Sequence, residues 1–261
     1  MRAKKQFGQH FLNSESALQK IVLAGELTKE DIVLEIGPGK GALTTQLLKH
    51  AGKVIAIEKD RDLIPLLREK FSKEIESETL VIIEQDILDF DPESIPEKYK
   101  LVANIPYYIT GLILEKFLSS VHQPTLAVLL VQKEVAQRIV AHDKKESILS
   151  MSVKVYGKPK IIAKVPAGAF NPAPKVDSAV LLIENISKYF FQNLDETKFF
   201  SMLKAVFGKK RKQIGGSLSD FIKNKEKALE ILKKTNIGEK NRPEDLKLDD
   251  WKILAMEVEK A

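Results

Sequence analysis

The sequence predicts an α/β fold in which a seven-stranded sheet is followed by a small all-α domain. Short β-branched apolar runs alternate with segments of helical length and periodicity in the first part of the chain. This alternation is typical of a parallel sheet covered by helices on both faces. After Glu184 the strand pattern stops and only helical patterns follow. We therefore expect a sheet domain at residues 1–185 and a helical domain at residues 186–261.

Each predicted element follows from its own pattern. Five apolar runs predict parallel strands at Ile32–Ile36, Val54–Glu58, Leu80–Glu84, Leu101–Ile105 and Leu126–Val131. The segments between them predict helices at Ala42–Ala51, Arg61–Lys73 and Ile109–Ser120. No helix-length segment separates the runs Lys160–Val165 and Ser178–Glu184, so we expect them to form an antiparallel pair at the sheet edge. Later helices are predicted at Glu196–Phe207, Lys225–Thr235 and Asp249–Glu259.

Composition excludes several classes of protein. The 261 residues include no cysteine, which rules out a disulfide framework and a cysteine-ligated zinc site. The four histidines are not paired at metal-ligand spacing, so we expect no metal. No apolar run approaches the roughly 18 residues of a membrane-spanning helix, and no apolar region follows the basic start. We expect a cytoplasmic monomer without membrane contact.

The net charge of +6 is concentrated in the last third of the chain. Residues 186–261 contain 17 basic and 12 acidic side chains, whereas residues 1–185 contain 25 and 24. Such an excess is expected of a domain that binds a polyanion, although a lysine-rich solvated surface would also produce it. The uninterrupted run Lys209, Lys210, Arg211 and Lys212 is the candidate for contact with nucleic acid.

The first predicted strand runs into a glycine-rich loop that contains Gly37, Gly39 and Gly41, and a helix follows at once. Glycines let the backbone turn sharply and approach a ligand. Their spacing differs from the G-x-G-x-x-G dinucleotide fingerprint, and no Gly-Lys-Ser/Thr follows at the spacing that a phosphate-binding P-loop requires. Glu58 ends the second strand 21 residues after Gly37, where a carboxylate can accept both ribose hydroxyls of a nucleoside cofactor. Asp86, after the third strand, could accept from an adenine amine, although a turn aspartate is the simpler interpretation.

The most specific pattern is Asn104-Ile105-Pro106-Tyr107 at the end of the fourth strand. The exocyclic amine of a nucleobase is a poor nucleophile because its lone pair is delocalised into the ring. Two acceptors that hold its hydrogens can localise and aim that lone pair. The amide oxygen of Asn104 and the carbonyl oxygen of Pro106 can be those acceptors, and Tyr107 offers a face on which an extruded base can stack.

The chain resembles the ribosomal RNA adenine dimethyltransferase family, in particular its small-subunit branch. Four segments carry the resemblance in order, Gln6–Leu12, Glu35–Gly41, Asn104–Tyr107 and Phe170–Ser178. The resemblance covers residues 4 to about 220. It implies a class I methyltransferase (Rossmann-like) sheet and S-adenosylmethionine as methyl donor. It also implies N6,N6-dimethylation of two adjacent adenosines near the 3′ end of small-subunit ribosomal RNA, in a pre-ribosomal particle.

The resemblance also implies roles for individual residues. His10, Leu12, Gly37 and Gly39 would line the cofactor pocket. Glu58 would contact the ribose of the cofactor and Asp86 its adenine. Asn104 would contact both the cofactor and the target amine, with Pro106 beside it. Phe170 would stack on the target base, on the side opposite Tyr107. The chain departs from the family pattern at three places. His10 and Tyr108 stand where asparagine is common, and residues 209–212 lack the usual Gln-Arg-Arg.

Three alternatives stay open at this point. A methyltransferase of the macrolide-resistance type, which acts on large-subunit ribosomal RNA, shares the Asn104–Tyr107 pattern, but the Phe170–Ser178 segment and the basic tail favour the small-subunit branch. A non-catalytic relative that acts in transcription or ribosome assembly would not need Glu58, Asp86 and Asn104. A nicotinamide-dependent oxidoreductase would need the dinucleotide glycine spacing.

Overall fold

The computed structural model describes residue 4 and residues 8–95, 98–209 and 212–260. They divide into two compact units. The first unit contains the described residues up to Ala136 together with Gly157–Ile186, and the second contains Gln137–Tyr156 and the described residues from Ser187 onward. In the described part of the chain, every helix is too short or too polar to span a lipid bilayer.

A seven-stranded sheet forms the centre of the first unit, as predicted. Its strands in chain order are β2 (Ile32–Ile36), β3 (Lys53–Glu58), β4 (Leu80–Glu84), β5 (Tyr99–Asn104), β6 (Leu126–Gln132), β7 (Lys158–Val165) and β9 (Ser178–Glu184). Their order across the sheet is β4-β3-β2-β5-β6-β9-β7. The first five are parallel, and β9 pairs antiparallel with both β6 and β7. The predicted antiparallel pair at the sheet edge is therefore confirmed.

Two short strands that the sequence did not predict form a separate antiparallel ladder. They are β1 (Phe11–Leu12) and β8 (Phe170–Asn171), in which Leu12 pairs with Phe170. The helices of the chain are α1 (Glu15–Ala24), α2 (Ala42–His50), α3 (Leu63–Lys70), α4 (Ser72–Glu76), α5 (Thr110–Ser119), α6 (Lys133–Val140), α7 (Ile148–Lys154), α8 (Glu196–Phe207), α9 (Ile214–Ile222), α10 (Lys225–Lys234) and α11 (Leu248–Glu259). The single helix predicted at Arg61–Lys73 is two helices, because the backbone leaves helical geometry at Phe71.

The core explains why these elements form. Val33 and Leu34 of β2 and Val102 of β5 are fully buried, as expected for strands covered on both faces. In the second unit Trp251 of α11 is fully buried, and its ring stacks on Phe207 of α8. This contact joins the last helix of the chain to α8 within the second unit.

One segment does not follow the division at residue 185. Residues Gln137–Tyr156, placed in the first domain from sequence, group with the helices of the second unit. Tyr156 accounts for this placement because its hydroxyl donates to Glu196 at 2.5 Å and its ring packs against Phe191 and Phe200. The assignment of separate roles to the two domains stays a prediction.

Candidate active site

The strand order creates a crevice at the carboxyl ends of β2 and β5. The chain runs from β2 outward through β3 and β4 and then returns to place β5 on the other side of β2. Ligands of open α/β sheets bind at such a reversal of strand order. Residues at the ends of four strands line one cavity here, which we call the strand-end cavity: Gly37 after β2, Glu58 on β3, Asp86 after β4 and Asn104 on β5.

The glycine loop leaves room for a ligand at one position. Gly37 has a φ of 65°, and a side chain built there would meet nothing within 4 Å. Gly39 has a φ of 60°, and a side chain there would approach the ring of Phe11 to 3.1 Å. Both residues line the cavity. The open space at Gly37 is therefore available to a bound molecule, whereas Gly39 allows the segment that contains Phe11 to pack on the loop.

Glu58 is a buried acid held by backbone donors. The amide N–H of Gly39 donates to its Oε2 at 3.1 Å, and the amide N–H of Asp60 donates to its Oε1 at 2.8 Å. Burial raises the pKa of Glu58, and these two hydrogen bonds oppose the rise because they favour the ionised form. Each carboxylate oxygen still has a lone pair for a further donor.

Asp86 forms an ion pair that was not predicted from the sequence. The ammonium of Lys59 forms an ion pair with Oδ2 of Asp86, and the amide N–H of Leu88 donates to Oδ1 at 3.0 Å. Partial burial alone would raise the pKa of Asp86, but these two donors hold it below its ordinary value. Lys59 directly follows Glu58, the last residue of β3. This position in the sequence is the signal that could have identified Lys59 as a partner of Asp86.

Asn104 and Pro106 present acceptors to the strand-end cavity. The Nδ2 group of Asn104 donates to the backbone carbonyl of His10 at 3.2 Å. This bond fixes the carboxamide plane and leaves the amide oxygen as the group that can accept from a ligand. The carbonyl of Pro106 accepts from the amide N–H of Ile109 at 3.2 Å and keeps a second lone pair. Both residues line the cavity.

Tyr107 is fixed by its hydroxyl and by one face of its ring. The hydroxyl shares a hydrogen bond of 2.6 Å with Oγ of the fully buried Ser178. The ring lies against that of His10, with centroids 6.0 Å apart and planes 20° from parallel. Nδ1 of His10 donates to the carbonyl of Pro172 at 2.7 Å, because a carbonyl can only accept. Partial burial raises the pKa of Tyr107, so its hydroxyl stays protonated near neutral pH.

Two predicted residues pack with each other in the core. Leu12 and Phe170 are partners in the β1–β8 ladder, and their exposed fractions are 4% and 5%. Leu12 also lines the strand-end cavity, whereas Phe170 is not among the lining residues. The ring that lies against Tyr107 is that of His10, and a role for Phe170 in stacking would require its ring to leave the core.

Two buried acids that were not singled out from the sequence also belong to this region. Glu35 lines the cavity, is buried, and accepts from Oγ1 of Thr44 at 2.7 Å. Burial raises its pKa to about 8. Asp60 accepts from Nε2 of Gln9 at 2.7 Å and from Nζ of Lys4 at 2.6 Å. Asp60 follows Glu58 by two residues at the end of β3. This position in the sequence is the signal that could have identified Asp60.

The predicted basic run is described in part. Lys210 and Arg211 lie outside the described residues. The ammonium groups of Lys209 and Lys212 both bind Oδ2 of Asp220, with a distance of 3.0 Å for Lys212. Hydrogen bonds from Lys209 and then Lys212 lower the pKa of Asp220. We call Lys209, Lys212 and Asp220 the basic cluster. Its two lysines share one carboxylate, which was not predicted.

Relatives of known name match almost the whole chain. Ribosomal RNA small subunit methyltransferase A of Dehalococcoides mccartyi is 41% identical over 262 residues, which cover 98% of this chain and 88% of that protein. The protein of the same name from Mycoplasma capricolum is 38% identical over 258 residues, and the match covers 96% of each chain.

Solved structures share the fold. A dimethyladenosine transferase from Plasmodium falciparum superposes with a TM-score of 0.83 and 28% identity, covering 96% of this chain and 98% of that one. The 23S rRNA methyltransferase ErmE superposes with a TM-score of 0.77 and 26% identity, covering 95% and 99%. The family model described as ribosomal RNA adenine dimethylase matches residues 1–260. The chain that forms this strand-end cavity therefore belongs to the ribosomal RNA adenine dimethylase family.

Proposed function

We propose that this protein transfers methyl groups from S-adenosylmethionine to N6 of two adjacent adenosines near the 3′ end of small-subunit ribosomal RNA, within a pre-ribosomal particle in the cytoplasm. The observation that carries the proposal is the convergence of Gly37, Glu58, Asp86 and Asn104 on one cavity in a member of this family. The names of the similar proteins from Dehalococcoides and Mycoplasma support the small subunit as the source of substrate.

The strand-end cavity fits the methyl donor. The open space at Gly37 can accept the methionine part, which a side chain there would block. Glu58 can accept the two ribose hydroxyls with charge-assisted hydrogen bonds. Asp86, kept ionised by Lys59, can accept from the adenine amine. When bound, S-adenosylmethionine supplies an electrophilic methyl group on a positively charged sulfur.

Asn104 and Pro106 prepare the target amine. The carboxamide oxygen of Asn104 and the carbonyl oxygen of Pro106 each hold one N6 hydrogen, which localises the nitrogen lone pair and aims it. The bond from Nδ2 of Asn104 to the His10 carbonyl fixes the oxygen before the substrate arrives, so little reorientation is needed. For the second methylation, the remaining hydrogen of the monomethylated amine must be held by one of the same acceptors.

Tyr107 and the basic run contribute to RNA binding. The fixed ring of Tyr107 offers a surface for a base that has left its stack, with Phe170 as a second candidate if it leaves the core. Lys209, Lys210, Arg211 and Lys212 supply positive charge for phosphates. We propose that the protein acts as a monomer.

Methyl transfer to isolated ribosomal subunits tests the proposal. Small and large subunits from cells that lack the endogenous modification are incubated with labelled S-adenosylmethionine, and the modified nucleotides are mapped. We expect label only in small subunits, on two adjacent adenosines near the 3′ end. Because ErmE shares this fold, label in the large subunit is the informative contrary result. It would assign the chain to the branch that modifies large-subunit RNA.

A further inference from the structure

One exposed aromatic ring lies at the rim of the strand-end cavity. Tyr108 has an exposed fraction of 64% and lines the cavity. Other large hydrophobic side chains are also exposed in the described part of the chain, at Leu23, Leu112, Val121, Ile162, Tyr189 and Ile253. None of these six lines the strand-end cavity. Tyr108 therefore combines solvent exposure with a position at the candidate active site.

The local fold turns this ring outward. Tyr108 lies in the short 3₁₀ turn Tyr107–Ile109, which leads directly into α5. Ile109 of the turn and Thr110, the first residue of α5, are buried and anchor the chain on the C-terminal side of Tyr108. The ring of Tyr108 is thereby left exposed at the rim of the strand-end cavity.

One edge of the Tyr108 ring is supported from the N-terminal segment. Gly8 has a φ of 59°, and a side chain built there would approach Cε1 of Tyr108 to 3.3 Å. The absence of a side chain at Gly8 therefore lets the backbone lie close to the ring. Lys59, which is half exposed and paired with Asp86, lines the same cavity. The rim thus offers an exposed aromatic ring, the kind of surface on which proteins stack the bases of single-stranded nucleic acid.

From this arrangement we propose that Tyr108 stacks on the nucleobase adjacent to the adenosine that is being methylated. The inference rests on the proposed function. Two neighbouring adenosines cannot occupy the acceptors Asn104 and Pro106 at once, so one base must wait outside while the other reacts. Tyr108 is an exposed aromatic surface on the same cavity that those acceptors line. Stacking on Tyr108 therefore sets the position of the RNA strand on the cavity.

The test compares Tyr108→Ala and Tyr108→Phe with the wild-type protein. Methylation of unmodified small subunits is followed at saturating S-adenosylmethionine. We expect Tyr108→Ala to raise KM for the subunit by about five- to 150-fold, the effect of losing one base-stacking contact. Tyr108→Phe keeps the ring and should stay within about twofold of the wild type. Tyr189→Ala removes another exposed tyrosine, 68% exposed and in the second unit, and should change nothing.

A second substrate separates stacking from a general effect on the site. Subunits are reconstituted with RNA in which one of the two adenosines is abasic, and methylation of the other is measured. Without a base to stack on, the wild type and Tyr108→Ala should have equal KM values. Calorimetric affinity for S-adenosylmethionine should be the same in both proteins.

The outcomes are distinguishable. If the wild type methylates small subunits and Tyr108→Ala has an unchanged KM, the stacking inference is wrong and the proposed function stands. An equal loss on the intact and the abasic substrate would also overturn the inference, because the ring would then act without the neighbouring base. If the wild type does not methylate small subunits, the proposed function fails and the inference fails with it.

Discussion

The strand-end cavity of the first unit and the basic cluster of the second differ in how their charged groups are held. Glu58 lines the cavity and Asp60 lies two residues after it; both are buried, and backbone or side-chain donors fix each carboxylate. Lys209, Lys212 and Asp220 are all more than 40% exposed. A group in the cavity therefore acts through its position, whereas a group in the basic cluster acts through its charge. Substitutions should have large and specific effects in the first case and small, salt-dependent effects in the second.

The largest effect is expected at Asn104. Replacing it with alanine removes the oxygen proposed to hold one amine hydrogen and the donor that binds the His10 carbonyl. By analogy with the loss of one oxyanion-hole donor, kcat should fall by about 10²- to 10³-fold. The rate is measured at saturating S-adenosylmethionine, which separates slow chemistry from weak cofactor binding. RNA affinity should barely change, since many phosphate contacts contribute to it.

Asn193→Ala provides the matched control for this experiment. Asn193 is exposed and belongs to the second unit, so its loss should leave kcat unchanged. If Asn104→Ala retained more than about a tenth of the wild-type kcat, Asn104 would have only the structural role of ending its strand.

Glu58 should control cofactor affinity. Glu58→Ala removes both acceptors for the ribose hydroxyls, and a hydrogen bond to a charged group contributes about 1.5–3 kcal/mol. Calorimetry should therefore find the Kd for S-adenosylmethionine raised by about ten- to 100-fold or more. An unchanged Kd would remove Glu58 from the site. A thermal unfolding midpoint close to that of the wild type would show that the substitution acts on binding and not on folding.

The pH dependence of binding adds a second readout. Burial raises the pKa of Glu58, so its ionised fraction begins to fall at a higher pH than that of an ordinary glutamate. Wild-type affinity should weaken as pH falls through this raised pKa. Glu58→Gln keeps an acceptor but cannot titrate, and its weaker affinity should depend less on pH over the same window.

Glu35 should make stability depend on pH. Its pKa in the folded protein is about 8, against an ordinary value of 4.5. Between these values the native state binds a proton that the unfolded state has released. The free energy of unfolding should therefore decrease as pH rises through this window, by up to about 1.4 kcal/mol per pH unit, and level off above it.

Glu35→Gln keeps the hydrogen bond from Thr44 and cannot ionise. Denaturant unfolding at a series of pH values should show the variant gaining stability relative to the wild type as pH rises towards 8. Glu76→Gln, at an exposed position in α4, is the control and should follow the wild-type curve. Parallel curves for the wild type and Glu35→Gln would show that Glu35 is already ionised in the folded protein.

The sequence predicted the sheet well because a buried parallel strand leaves a continuous apolar run. The antiparallel pair at the edge followed from the missing helix between Val165 and Ser178. The β1–β8 ladder could not be predicted, because two residues per strand are too few for any periodicity to emerge. Ion pairs such as that of Lys59 with Asp86 were also missed, since they join residues that are distant in sequence and depend on side-chain geometry.

The candidate site follows the same rule. Residues at strand ends, such as Glu58 and Asn104, were found because the topology of a parallel sheet brings strand ends together. The burial of Phe170 in the core and the stacking of His10 on Tyr107 were not foreseen. Both depend on how the N-terminal segment packs, and its sequence contains no regular pattern that would indicate this.

The smallest effect is expected in the basic cluster, where the charges of Lys209 and Lys212 are opposed by Asp220. If the lysines contact phosphates, Lys209→Gln combined with Lys212→Gln should flatten the plot of log affinity for small-subunit RNA against log salt concentration by about 0.7–0.9 per lost contact. Asp220→Asn should change the salt dependence of RNA affinity in the opposite direction, because it releases both ammonium groups to bind phosphate. RNA affinity should rise a few-fold at low salt, and the slope should become steeper.

The opposite signs of these two variants separate a phosphate-binding cluster from an ordinary solvated surface. An ordinary surface would leave the salt slope unchanged in both, since neither charge would touch the RNA. Affinity for S-adenosylmethionine should be equal in all three proteins, because the cavity residues proposed to bind it are in the first unit. A weaker RNA affinity for Asp220→Asn would instead show that Asp220 holds the lysines where the RNA needs them. The basic cluster would then act through position, as the strand-end cavity does, and the contrast between the two regions would fail.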